Sequence, residues 1–203
     1  MYLYNVLINK SMEFLTKHMT IDDSQIPVVK YGLEVILINF FKAIILFIIA
    51  LHVGLLKETV IFVLCFASIR LFAAGVHATS TLVCTLVNLL IFIGGSYISI
   101  VFPLNMMAIS IFFAISFCLI FLYAPSDTKS KPIVSKSLRK KLKIKALLMA
   151  FILFLFVLFL KDIVYKNIIT YAVLTESLCL TPILYKFLGK EYNNYEKFKS
   201  TTT

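Results

Sequence analysis

Six apolar runs dominate this chain and leave it few ways to fold. A segment of about 20 apolar residues matches the roughly 30 Å hydrocarbon core of a bilayer when it is helical. In lipid, every backbone N–H and C=O must be paired within the segment, so such runs read as helices. They cover about 28–53, 59–74, 80–102, 104–123, 146–160 and 163–188, the last interrupted by Thr181-Pro182. The expected fold is all-α: an integral membrane six-helix bundle, with residues 1–203 as one domain and no internal repeat. An apolar fraction of 61% agrees, since soluble domains hold roughly 45–50%. No basic start followed by a short apolar core and a small-residue cleavage site opens the chain. The first span is therefore expected to serve as the targeting signal.

Residues 1–20 are apolar but too short to span. Asn5, Asn9, Lys10, Glu13, Thr16 and Lys17 share one helical side, and Leu3, Leu7, Phe14 and Leu15 the other. That pattern predicts an N-terminal interfacial amphipathic helix, or one packed on the bundle. The net charge of +10 is concentrated: eight of the twenty basic residues lie between Lys129 and Lys145, in a basic loop read over 124–145. Such a cluster fixes topology or receives acidic partners at a lipid bilayer, and no nucleic acid is expected. With this loop inside and six spans, both termini are cytoplasmic, and Lys57, Lys161 and Lys166 are left outside.

One polar stretch between spans carries chemistry: Arg70-Leu-Phe-Ala-Ala-Gly75-Val-His77-Ala-Thr-Ser-Thr-Leu-Val-Cys84. In one continuous helix His77 and Cys84 would be separated by about 10 Å of rise. Proton transfer needs roughly 3 Å, so a His77–Cys84 dyad requires a break. Gly75 supplies one, and Thr79-Ser80-Thr81 can cap the next helix. A helix N-terminus and a nearby imidazolium both favour a thiolate, the form that attacks a carbonyl. Asn88, four residues past Cys84 on the same face, could donate to an oxyanion, orient His77, or bond across helices. Glu34 or Asp127 could accept the second histidine proton. No cofactor is expected, and a zinc site would lack two or more ligands. Cys65, Cys118 and Cys179 lie inside apolar runs as small packing residues.

These residues resemble the accessory gene regulator protein B (AgrB) family of Gram-positive quorum-sensing systems. The match rests on Arg70-x4-Gly75-x-His77-x6-Cys84-Thr85. Lys30-Tyr-Gly-Leu-Glu34-Val35 and Ala124-Pro125-x-Asp127-Thr128-x-x-Lys131-Pro132-Ile133 add to it. Ala74-Gly75 stands where the family commonly has Gly-Gly.

The resemblance implies a membrane cysteine endopeptidase that cuts the acidic C-terminal part from a signal propeptide, an AgrD-like partner. By similarity Cys84 is the nucleophile and His77 the general base. The body of the peptide is held as a thioester, which a thiol or hydroxyl of the same peptide attacks to close a thiolactone or lactone. Effective molarity and exclusion of water favour that attack. Arg70, Lys129 and Lys131 are the candidate holders of the acidic tail on the cytoplasmic side, where the active site is also expected. A small bundle of this kind could pair as a homodimer. The competing class is a peptide transporter or other non-catalytic membrane protein, which six spans would also suit.

Overall fold

The computed structural model describes residues 8, 10–15, 26–75, 81–127 and 133–192, and nearly all of them are helical. Residues 10–15 form a short helical piece, and apart from Ile8 the rest of the expected amphipathic helix lies outside the described residues. Seven further helices follow: α1 (Ile26–His52), α2 (Leu56–Ala73), α3 (Thr81–Val101), α4 (Met106–Tyr123), α5 (Lys136–Phe159), α6 (Ile163–Cys179) and α7 (Pro182–Phe187). The chain divides into two compact units, Met1–Ile49 and Ala50–Thr203. Helix α1 carries most of the first. At 27 residues it is about 40 Å long, and Val28, Ile36, Phe40 and Ile48 are exposed along it. An apolar helix with so much bare aliphatic surface has lipid as its solvent.

Among the described residues, four helices are long and apolar enough to cross a membrane: α1, α3 over Leu82–Val101, α4 and α5. They mark the chain as a multi-pass membrane protein. Helices α2 and α6 fall short of that description for a physical reason. Lys57, Glu58 and Arg70 interrupt α2, and α6 is only 17 residues long with Lys166 and Glu176 within it. Yet these two form the centre of the second unit. Helix α6 packs against α2, α3, α4, α5 and α7, and α2 against α3, α5 and α6. Along α6, Asn167, Ile168, Ile169, Thr170, Ala172, Val173, Glu176, Ser177 and Cys179 are all buried. Polarity that would be costly against lipid is instead turned toward protein.

The polar groups of α6 are matched one by one. Asn167 Nδ2 donates to Ser99 O at 3.1 Å, and Asn167 Oδ1 accepts from the Leu104 N–H at 3.2 Å. Those are backbone groups freed where α3 ends and α4 begins, across Pro103, so one amide closes the turn between two spans. Helices α2 and α6 run parallel. Lys57 Nζ lies 5.0 Å from the Tyr165 ring centre near their starts, and Arg70 meets Glu176 near their ends.

Against α3, Phe62 and Phe66 of α2 pack edge to face on Phe92, with ring centres 6.2 and 5.1 Å apart. Gly95 makes room for Phe62, since a Cβ there would lie 2.6 Å from that buried ring. On α5 the buried positions are Ala146, Ala150 and Val157, small side chains that let helix backbones approach closely.

The basic run expected in the 124–145 loop is helical from Lys136 onward. Ser135 caps it, its Oγ accepting from the Leu138 N–H at 3.3 Å, and lysine, leucine and arginine are good helix formers. The interhelical segment thus shrinks to residues 124–135, and the charges ride on the first turns of α5.

Candidate functional site

The ends of α2, α4 and α6 meet where α3 and α5 begin, because successive helices in this unit are joined by short connections and alternate in direction. Helix α2 stops at Ala73. Ala74 has φ 59° and ψ −132°, and Gly75 has φ 124°, two successive residues in conformations that L side chains avoid. Three contacts hold this exit. The Ala74 N–H donates to Arg70 O at 3.0 Å, the Gly75 N–H to Ser126 O at 2.9 Å, and the Ser126 N–H to Ala73 O at 2.9 Å. The last two form an isolated parallel bridge between the end of α2 and the loop after α4. The Ala124–Pro125 peptide bond in that loop is cis. Ser126 Oγ, itself buried, sits 2.8 Å from Leu180 O and 2.9 Å from Tyr123 O, which ties in the end of α6.

Two ion pairs lie in the same region. Arg70 Nη1 is 3.1 Å from Glu176 Oε2 and 3.4 Å from Oε1, with Glu176 fully buried and the Arg70 side chain 20% exposed. The guanidinium also lies over Phe66, 5.6 Å from its centre. Gly75 leaves room for it, since a Cβ there would stand 2.7 Å from Arg70 Nη1. Asp127, buried, is 3.7 Å from Arg139 Nη1 and accepts from the Ile133 N–H at 3.3 Å. Arg139 Nη2 donates to Pro125 O at 3.1 Å, and the Tyr185 hydroxyl donates to Asp127 O at 3.1 Å. Asp127 and Arg139 therefore brace the loop that receives Gly75.

Cys84 is the fourth residue of α3 and is half-buried. It heads an i, i+4 stripe of Cys84, Asn88, Phe92 and Ser96 that faces the protein, while Leu82, Leu86 and Leu90 face outward. Asn88 Nδ2 lies 3.9 Å from Cys84 Sγ, a weak amide-to-sulfur hydrogen bond along the stripe. Phe62 and Phe66 fix the antiparallel register of α2 on α3 through Phe92 and Gly95. In that antiparallel pair the end of α2, with Arg70, lies toward the start of α3, with Cys84 and Asn88.

The expected site residues divide accordingly. Cys84 and Asn88 pair on α3; Arg70 and Gly75 meet at the end of α2; Asp127 joins them through the Gly75–Ser126 bridge. His77, Lys129 and Lys131 lie outside the described residues. Glu34 is half-buried on α1, in the first unit. Three participants escaped the sequence reading: Glu176, Ser126 and Arg139. A carboxylate in an apolar run was the available signal for Glu176, since such a group is costly in a membrane without a partner. Ser126 acts largely through its backbone, and the Arg139 guanidinium reaches Pro125 across 14 residues of sequence, so nothing local announces either.

Helical spans packed around a buried ion pair, with a cysteine at the head of one span, define a class: a polytopic membrane protein with a polar site at one end of its bundle. Within that class the chain belongs to the AgrB family, described as Accessory gene regulator B, whose profile matches residues 8–180. It is 38% identical over 187 residues to an AgrB-like protein of Clostridium acetobutylicum, covering 92% of this chain and 90% of the relative. With an AgrB-like protein of Listeria innocua the identity is 40% over 171 residues, 84% of each chain. An accessory gene regulator protein B of Staphylococcus lugdunensis is 34% identical over 140 residues, 69% of this chain and 74% of that one. No solved structure matches the chain.

Proposed function

We propose that this protein is a membrane cysteine endopeptidase that cuts a quorum-sensing propeptide and closes its product into a thiolactone or lactone. The observation that carries the reading is Cys84 itself: half-buried, on the protein-facing stripe of α3 in its first turns, with the Asn88 amide 3.9 Å away. Family membership supports an AgrD-like propeptide as partner. In this reading His77 takes the Cys84 proton, and the thiolate attacks the scissile carbonyl. The developing oxyanion is met by donors near the helix start, with Asn88 as the side-chain candidate. The amide bond then breaks, the acidic C-terminal fragment leaves as an amine with the proton from His77, and the peptide body remains as a thioester. A thiol or hydroxyl of that peptide attacks the thioester carbonyl, expels the Cys84 thiolate and closes the ring. Residues 76–80, His77 among them, connect the anchored Gly75 to α3 in the sequence.

The same reading covers topology. Helices α2 and α6 pack along antiparallel α3 and α5, so they cross with them despite their polarity, giving a single domain of six spans. The cations at the start of α5 support a cytoplasmic α2–α3 junction and cytoplasmic termini. The N-terminal segment is an interfacial amphipathic helix that brings the propeptide to the site. Arg70 supports the site through Glu176, Lys129 and Lys131 hold the acidic tail, and Glu34 or Asp127 orients His77. Homodimer formation belongs to the proposal.

Co-expression with the neighbouring precursor peptide tests it, comparing wild type with Cys84→Ser and His77→Ala at equal protein level. Mass spectrometry is expected to find a cut precursor lighter by one water than the linear fragment, with wild type only. Processing by both variants would refute the reading and leave a carrier as the better description.

A further inference from the structure

A second site lies at the same end of the bundle and takes no part in the chemistry above. Between the end of α4 and the start of α5 is a cleft of about 520 Å³, lined chiefly by Tyr123, Pro125, Arg139, Lys140, Lys143 and Tyr192. Its electrostatics are unusual. Lys136, Arg139, Lys140, Lys141, Lys143 and Lys145 crowd the first ten residues of α5, which has no acidic residue in its first turn or anywhere along it. The N-terminus of a helix already carries partial positive charge, so cations there repel the dipole as well as each other. Asp127 pairs with one of these cations, Arg139, at 3.7 Å. An anion in the cleft would relieve the arrangement.

The surroundings say what kind of anion. Leu122 lines the cleft and is exposed, as are Phe121 beside it and Ile144 and Leu148 on α5. Lys143 is half-buried and holds its ammonium 5.4 Å from the Phe121 ring centre, so the cation sits against apolar surface. Tyr123 and Tyr192, with ring centres 6.4 Å apart, border the polar side, as aromatic residues do at headgroup level. A water-soluble acidic peptide gains nothing from a cleft whose wall continues into bare aliphatic and aromatic side chains. A phospholipid does, because its phosphate and acyl chain match the two halves. Basic pockets between membrane helices bind anionic headgroups on these terms.

We infer that the cleft between α4 and α5 is a binding site for an anionic phospholipid headgroup, with Lys140 and Lys143 as its phosphate ligands and the Phe121–Leu122 surface seating an acyl chain. The inference is independent of the proposed peptidase activity. The test is native mass spectrometry of the full chain released from nanodiscs of equal phosphatidylglycerol and phosphatidylcholine. Wild type is expected to retain phosphatidylglycerol selectively. Lys140→Gln/Lys143→Gln should weaken that retention on the order of tenfold. Lys141→Gln/Lys145→Gln removes the same charge from other helix faces, Lys145 lying over Phe72, and should leave retention near wild type. Equal loss in both pairs would reduce the effect to general attraction by a basic surface and overturn the site. Displacement by glycerol 3-phosphate at equal concentration would assign the cleft to a free phosphate, and displacement by a synthetic acidic peptide would assign it to a peptide. Either result overturns the lipid assignment.

Discussion

Glu176→Gln tests how the centre of the bundle is held. Glutamine keeps the shape and one acceptor but removes the charge, leaving the Arg70 guanidinium at 20% exposure without its counter-ion. Arginine does not shed its proton, so nothing relieves the mismatch. Breaking a buried pair from one side costs about 3–5 kcal/mol, and contact with Phe66 and residual exposure put this one near 3 kcal/mol. At about 2–4 °C per kcal/mol for a chain of this size, the unfolding midpoint should fall by roughly 6–12 °C. Arg70→Met should cost less, about 1–2 kcal/mol, because a stranded carboxylate can neutralise itself by taking a proton. The double variant should lose less than the sum of the two, with a coupling of about 1–3 kcal/mol. The chain has no tryptophan, but Cys179 is buried and Cys65 half-buried, so a thiol-reactive fluorophore reports unfolding in detergent or nanodiscs. A Glu176→Gln midpoint within 2 °C of wild type, an Arg70→Met variant that melts lower than Glu176→Gln, or strict additivity would each refute the reasoning.

Four further outcomes follow from packing, hydrogen bonding and backbone geometry, each read by the same melting assay. Ala74 sits at φ 59°, where strain of about 1–3 kcal/mol exceeds the roughly 0.4–1 kcal/mol that glycine adds to unfolded-chain entropy, so Ala74→Gly should raise the midpoint. Gly75→Ala should lower it, because φ is 124° and the new Cβ would meet Arg70 at 2.7 Å, whereas Gly94→Ala has nothing within 4 Å and serves as its control. Gly95→Ala should cost about 1–3 kcal/mol by pushing on the buried Phe62 ring, and Phe62→Leu in the same chain should recover part of that loss. Asn167→Leu should cost about 1–3 kcal/mol per stranded group, since Ser99 O and the Leu104 N–H both lose their partner. An Asn167→Leu midpoint equal to wild type would mean the α3–α4 turn is closed by something else.

The sequence made the outer helices legible because lipid imposes a one-dimensional rule: enough apolar residues in a row. The inner helices obey a different rule. Arg70 and Glu176 are 106 residues apart, and an ion pair at that separation leaves no trace in local hydropathy. Asn88 was legible because i, i+4 geometry is local, and the stop at Gly75 because glycine marks a break. The bridge from Gly75 to Ser126 was not, since backbone groups carry it. The helical start of α5 was hidden by its charges, which read as a loop although their residue types favour a helix and Ser135 caps it.

These observations connect stability to the proposed chemistry at one end of the bundle. The two helices least suited to lipid are the two that converge on Gly75, through Arg70 on one side and through Leu180 and Ser126 on the other. A buried charge pair is poor evidence for net stability, because apolar side chains of equal volume do as well or better. Its value here is geometric. The Arg70 guanidinium must sit where Gly75 leaves room, Gly75 must then exit toward Ser126, and that exit sets where the five residues before α3 begin. Apolar replacements could fill the same volume and still leave the exit direction open. Arg70→Met/Glu176→Met is therefore expected to melt near wild type while losing the proposed peptide processing, and a variant that kept full processing would show that the pair does not position the site.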